Sequence, residues 1–194
     1  MKDHKKSSFL LKPGISCDVN FGADIDLSYH RQGQCRLLIH SVLKELQAFL
    51  TDSWKSCGGQ RLPQSIDISL SLVGQKRMMV INHQFRQKKK TTDVLSFPLY
   101  DQLRSTKTVL PELFCLGDVV ICWPVLQHQA EQFDLPWSKE FLYLFIHGVL
   151  HLLDFDHERG GAEESLMFHW EEILAEKSWV RYQKSAGQKE RIKV

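Results

Sequence analysis

Three histidines stand where they could share one ion: His147, His151 and His157. Residues four apart on a helix lie one above the other on the same face, so His147 and His151 can reach a common ligand. His157, beyond a plausible helix end, can return as a third donor. Three imidazoles with an open fourth position make a catalytic zinc site, whereas structural zinc sites are usually closed by four protein ligands, mostly cysteine. From Phe141 to Leu153 the chain is apolar all round except at the two histidines. A helix of that pattern is buried, and buried polar groups need partners. Pro136 suits its first turn and Glu140 complements its N-terminal dipole. The apolar run is too short, and too interrupted, for a membrane span.

The offsets match the H-E-x-x-H-x-x-G-x-x-H spacing of metzincin proteases, with two departures. Gly148 stands where such a protease needs its glutamate general base, which argues against peptide hydrolysis. Asp154 stands where the turn glycine normally sits. That change is tolerable, because aspartate visits the left-handed conformation more readily than most residues and can bond its own backbone there.

The run His147-Gly148-x-Leu150-His151-Leu152-x-Asp154-Phe155-Asp156-His157 resembles the H-G-x-L-H-L-x-G-[YF]-D-H signature of the YbeY-type endoribonucleases, departing from it at Asp154. Two further stretches are similar to that family: Asn82-His83-Gln84-Phe85-Arg86 running on to Thr92-Asp93-Val94-Leu95-Ser96-Phe97-Pro98, and Gly117-Asp118-Val119-Val120-Ile121-Cys122. The resemblance spans about residues 18 to 176. It implies a single-strand-specific endoribonuclease acting in ribosomal RNA maturation and ribosome quality control. It also implies ribosomal RNA, the ribosome or small-subunit components, and a GTPase of ribosome biogenesis as partners.

RNA cleavage by a zinc centre needs a polarised phosphoryl oxygen, an activated nucleophile and a cation for the extra negative charge. One Zn2+ can supply the first two by lowering the pKa of bound water, which partly answers the absent glutamate. Arg86 is the candidate for the third, since guanidinium presents a rigid fork to phosphate oxygens. The resemblance places an arginine implicated in activity at that position. The alternative is that Arg86 simply caps a short helix. Lys88-Lys89-Lys90 follows as a candidate phosphate track or a solvated charge run. Asp156 either bonds a ligating imidazole or assists the water, or is a turn aspartate. Asp93 and Ser96 read equally as turn and strand-end residues or as substrate contacts.

Two other functions stay open on the residues alone. One is a zinc hydrolase acting on another substrate. The other is an RNA-binding ribosome-assembly factor with a structural zinc, for which Cys115 or Cys122 would be the closing thiol.

The elements that must position these groups can be read in order. The 194 residues, 43% hydrophobic with a formal net charge of +2, suit one globular domain. The odd set Cys17, Cys35, Cys57, Cys115 and Cys122 forms no C-x-x-C pair and reads as reduced thiols, and residues 1–16 lack a signal peptide's apolar core, which together suggest the cytoplasm. Residues 1–16, with Lys2, Lys5, Lys6 and Lys12, are predicted to be a poorly ordered arm. Residues 17–180 are predicted to form the single metal-dependent domain, and residues 181–194 a solvated basic tail.

A strand is predicted near Cys17 to Phe21, and a helix from His30 to Leu50. The strictly alternating Ser65 to Leu72 predicts a strand. Next comes a short helix from Gly74 to Phe85, with Met78, Met79 and Ile81 inward. Thr92 to Phe97 and Asp118 to Trp123 predict strands, with an aperiodic connection from Leu99 to Leu116 between them. Helices from Pro124 to Phe133, around the histidines, and around Leu166, Met167, Trp170, Ile173 and Leu174 complete an α+β domain. Its mixed β-sheet is flanked by helices, and a buried central helix carries the histidines.

Overall fold

The structure, a computed structural model, describes residues 7–9, 14–63, 65–104, 110–111 and 113–191, without the side chains of residues 7–9, 113 and 188–191. Five strands form one sheet: β1 (Ser7–Phe9), β2 (Ile15–Phe21), β3 (Ser65–Val73), β4 (Val94–Pro98) and β5 (Leu113–Cys122). Their spatial order is β1-β2-β3-β5-β4. The central β2, β3 and β5 run parallel, and the edge strands β1 and β4 are antiparallel to their neighbours. The alternation in β3 turns Ile66, Ile68, Leu70 and Leu72 into the core and Ser65 and Asp67 outward.

Five helices, α1 (Tyr29–Asp52), α2 (Gln75–Arg86), α3 (Trp123–Gln132), α4 (Trp137–Leu152) and α5 (Gly161–Arg191), are joined by two short 3-10 turns, Trp54–Cys57 and His157–Arg159. The helix α4 is central: it packs on β4 and β5 on one side and against α1, α3 and α5 on the others. Its Phe141, Phe145, Ile146, Val149 and Leu150 are buried, so the apolar run of the sequence is the middle layer of the molecule. Burying one such side chain contributes about 1.5–3 kcal/mol relative to leaving it in water. A smaller cluster of Val73, Met78, Leu95, Val120 and Cys122 seats α2 on the opposite face of the sheet. No helix among the described residues is long and apolar enough to cross a membrane.

Four details differ from the sequence reading. Ser7–Phe9, within the arm expected to be poorly ordered, pairs with β2, while Lys2, Lys5, Lys6 and Lys12 lie outside the described residues. The basic tail is helical as far as Arg191, because Tyr182 is buried and Arg181 pairs with Glu45 at 2.6 Å. Met79 is exposed: with Met78 and Asn82 facing inward, the next residue after Met78 is turned about 100° away. Finally, β5 starts at Leu113, inside the supposed connection. A register shift opposite Asp67 and Ile68 interrupts its alternation, which hid the strand.

Candidate metal centre

The one-turn spacing of His147 and His151 on α4 brings their Nε2 atoms to 3.1 Å. After Leu153 the chain turns through Asp154, at φ 67°, and Phe155 N–H donates to Leu150 O at 3.0 Å. Phe155 is buried against Phe49 and Trp54, which anchors the loop that returns His157. One ligand atom from each of the three histidines then lies within 4.8 Å of the others.

The protonation pattern favours ligation. Glu171, buried on α5, accepts from His147 Nδ1 at 2.7 Å, and Tyr143 O–H donates to its other oxygen at 2.9 Å. A carboxylate on Nδ1 fixes the tautomer and leaves the Nε2 lone pair for a metal. His151 is pushed down to about 4 by burial and by the neighbouring His147 and His157, so it is neutral over the physiological range. Two imine lone pairs 3.1 Å apart repel unless a proton or a cation sits between them. The buried Nδ1 of His157 has no hydrogen-bond partner within the protein. The imidazole set, its carboxylate support and this orphaned nitrogen fit a divalent transition ion. Burial and the Glu171 carboxylate together raise the Tyr143 phenol, keeping it a donor.

The departures from the protease pattern have local causes. A Cβ on Gly148 would lie 2.7 Å from Val119 Cγ1 and 3.2 Å from Ser96 Oγ, because α4 is pressed against β4 and β5 there. Glutamate has no room at that position. Ser96 is buried and its hydroxyl donates to Gly148 O at 3.1 Å, so it docks the helix onto the sheet. Asp154 places its carboxylate between Arg159, whose Nη2 donates to it at 2.8 Å, and the Arg104 backbone N–H at 3.3 Å. Arg104 itself reaches Cys57 O, Asp154 O and Glu163, and lies over the Phe155 ring at 4.3 Å. It clamps the histidine loop to the turn at Cys57 and to the first turn of α5.

Asp156 makes the contacts of a turn aspartate. It accepts from Glu158 N–H at 2.9 Å and pairs with Arg159 Nε at 3.3 Å. The carboxylate bonded to an imidazole of the cluster is Glu171 instead. Asp93 is likewise a strand-end residue: burial pushes its pKa up, but donors from Gln129, the Val94 N–H and Thr92 outweigh it and hold the carboxyl below the usual range.

The triad opens into a cavity of about 450 Å³ that Asp154, Asp156 and Arg159 also line. Its other wall is the end of α2 and the segment after it, with Arg86, Lys88 and Lys90; Lys89 is not among its lining residues. Gln87, at φ 58°, ends the helix with its N–H on His83 O, and buried Asn82 donates to Lys90 O at 2.7 Å. The backbone thus caps α2 without calling on the Arg86 side chain. Cys115 is exposed and Cys122 is buried in the cluster beneath α2, and neither joins the histidine cluster.

Sequence reasoning missed Glu171, Arg104, Arg159 and Asn82. A signal existed for Glu171. It falls on the line Met167, Glu171, Leu174, Ser178, which is buried on α5, so it is a charge inside an apolar stripe.

A family model described as Endoribonuclease YbeY matches residues 40–178. Relatives named Endoribonuclease YbeY include one from Persephonella marina, 40% identical over 112 residues that cover 58% of this chain and 70% of the relative. One from a Sulfurihydrogenibium species is 34% identical over 145 residues, covering 73% and 91%. One from Leptospira interrogans is 43% identical over 111 residues, covering 52% and 79%. The solution structure of TM1509 from Thermotoga maritima has the same fold, with a TM-score of 0.52 and 22% identity over 87% of this chain and 93% of that one. With the family model matching most of its length, the chain belongs to the Endoribonuclease YbeY family.

Proposed function

We propose that this protein is a zinc-dependent endoribonuclease that cuts single-stranded ribosomal RNA during maturation and ribosome quality control in the cytoplasm. The observation that carries this reading is the cavity itself. Three converging imidazoles without a fourth donor among the described residues face a wall that bears Arg86, Lys88 and Lys90. When bound, a zinc ion held by His147, His151 and His157 supplies Lewis acidity toward a phosphoryl oxygen and lowers the pKa of a nearby water.

The chain's own groups do the rest. Arg86 holds the scissile phosphate by its guanidinium fork and offsets the charge that develops on it. Asp156 lines the cavity beside His157, and the lone pairs left by its contacts to Glu158 N–H and Arg159 orient the attacking hydroxyl or water. Lys88, Lys89 and Lys90 draw in the flanking phosphates, with Lys88 and Lys90 nearest the cavity. Glu171 and Tyr143 keep His147 in the ligating tautomer. Small-subunit components and a ribosome-biogenesis GTPase are the partners expected from the family.

The test is cleavage of a labelled single-stranded ribosomal RNA fragment by metal-loaded protein, alongside His151→Ala and Arg86→Ala from the same preparation. Cutting by the wild type that both variants lose is the expected result. Retained RNA and bound zinc without cutting would favour an assembly factor with a structural metal. Cutting that survives in both variants would reveal a contaminating ribonuclease.

A further inference from the structure

We propose that Arg159 is a second phosphate-binding residue of this cavity, set in place by Asp154 and Asp156; the inference rests on the endoribonuclease reading. Arg159 follows the third histidine by two residues and lines the cavity with the triad and Arg86. Its side chain is 49% exposed, while those of Asp154 and Asp156 are 8% and 30% exposed. The arginine therefore faces solvent from a base of more sheltered carboxylates.

The contacts are directional. Nη2 donates to Asp154 Oδ1 at 2.8 Å and Nε faces Asp156 Oδ2 at 3.3 Å. Both fall on one edge of the guanidinium, and neither uses Nη1. A planar fork fixed along one edge offers its remaining donors in a defined direction, and a phosphate met there costs little further ordering.

Charge gives the second half of the argument. Asp154 and Asp156 line a cavity that must admit a polyanion, and a sheltered carboxylate opposes an approaching phosphate more strongly than one in open water. The Asp154 carboxylate accepts from two donors, the uncharged backbone N–H of Arg104 and the Arg159 guanidinium, while the guanidinium of Arg104 is engaged by Glu163 at 2.6 Å. Arg159 is thus the cation that offsets Asp154 at the cavity. Aspartate in the position where the signature has glycine, and an arginine five residues later, act as one unit. The aspartate sets the arginine, and the arginine cancels the aspartate.

The pairing predicts an effect that an ordinary surface arginine would not produce. Arg159→Gln removes a donor and also leaves the Asp154 carboxylate uncompensated. Binding of a short labelled single-stranded RNA to zinc-loaded protein should weaken about tenfold, the loss of one charge-assisted contact. Asp154→Gly alone should cost less than that. The double variant should bind RNA more tightly than Arg159→Gln does, because the unpaired carboxylate is gone. Bound zinc, measured on the same samples, should be unchanged in Arg159→Gln.

Wild-type affinity in Arg159→Gln would overturn the proposal while leaving the nuclease reading intact. A double variant that binds no better than Arg159→Gln would overturn the coupling. Loss of zinc together with RNA would make Arg159 a support of the histidine loop instead. No RNA binding by the wild type would overturn the nuclease reading and this inference with it.

Discussion

The two walls of the cavity are built in opposite ways. The wall of α4 and the loop after it is cross-linked from behind: His147, Glu171 and Tyr143 form one hydrogen-bonded chain, and Arg104 clamps the returning loop. The wall at the end of α2 is exposed, and the segment carrying Lys88 and Lys90 is tied to the helix by the bond from Asn82 to Lys90 O and by the backbone cap. The proposed function accounts for the difference. A metal site needs ligands fixed in tautomer and direction before the ion arrives. Attraction to a polyanion needs only a density of cations near the path, and long solvated side chains suffice.

If the hydrogen-bonded histidine group is the preorganised part, variants of the histidines, Glu171 and Tyr143 should act on metal affinity, and those of the exposed cations on RNA affinity alone. Removal of a ligand is the largest blow. His151→Ala should lose stable zinc binding, which chelator competition would measure; affinity within tenfold of wild type would break the comparison. Next is Glu171→Gln, which leaves an acceptor but removes its charge from His147. Loss of such an outer partner typically costs about 10–100-fold in metal affinity. Tyr143→Phe should cost less, since Glu171 keeps its bond to His147. Equal affinities in all three proteins would mean that Glu171 only packs.

Gly148→Ala probes the close approach of α4 to the sheet. Its Cβ would press on Val119 Cγ1 at 2.7 Å, and overpacking of this kind costs about 1–3 kcal/mol of stability, readable by denaturant unfolding. A gain in stability, as helix propensity alone would give, would contradict the tight packing. Replacing Lys88 and Lys90 by alanine is the mildest change. RNA binding should weaken severalfold and its salt dependence flatten by about 0.7 per cation removed, with zinc affinity untouched.

Acid sharpens the same contrast. His151 has its pKa lowered to about 4 in the fold from an ordinary 6.5, so below 6.5 the unfolded chain takes up a proton that the folded chain refuses. Its contribution to the stability of chelator-treated protein is full above 6.5 and is lost as pH falls toward 4. Zinc should protect the protein through the upper part of this window, until protons displace it from the imidazoles.

The sequence made the histidine helix readable because helical period and apolar content agree there: His147 and His151 are the polar positions in the run from Phe141 to Leu153. The alternating strand at Ser65 to Leu72 was as clear. Arg104 was not readable. It lies in a stretch without period, and its importance comes from contacts with Cys57, Asp154 and Glu163, which are 47 to 59 residues away. Glu171 was hidden by its neighbour Glu172, since only the helical phase tells the buried carboxylate from the exposed one. Gly148 could be seen to lack a general base, but its reason lay in Val119 and Ser96, on two strands that the sequence could not bring beneath it.

The central claim is an open three-histidine metal centre, and X-ray absorption at the zinc edge of the metal-loaded protein tests it most directly. Three imidazole nitrogens with oxygen donors completing the shell, and no sulfur, is the predicted result. A sulfur neighbour, or an unchanged spectrum in His151→Ala, would contradict it.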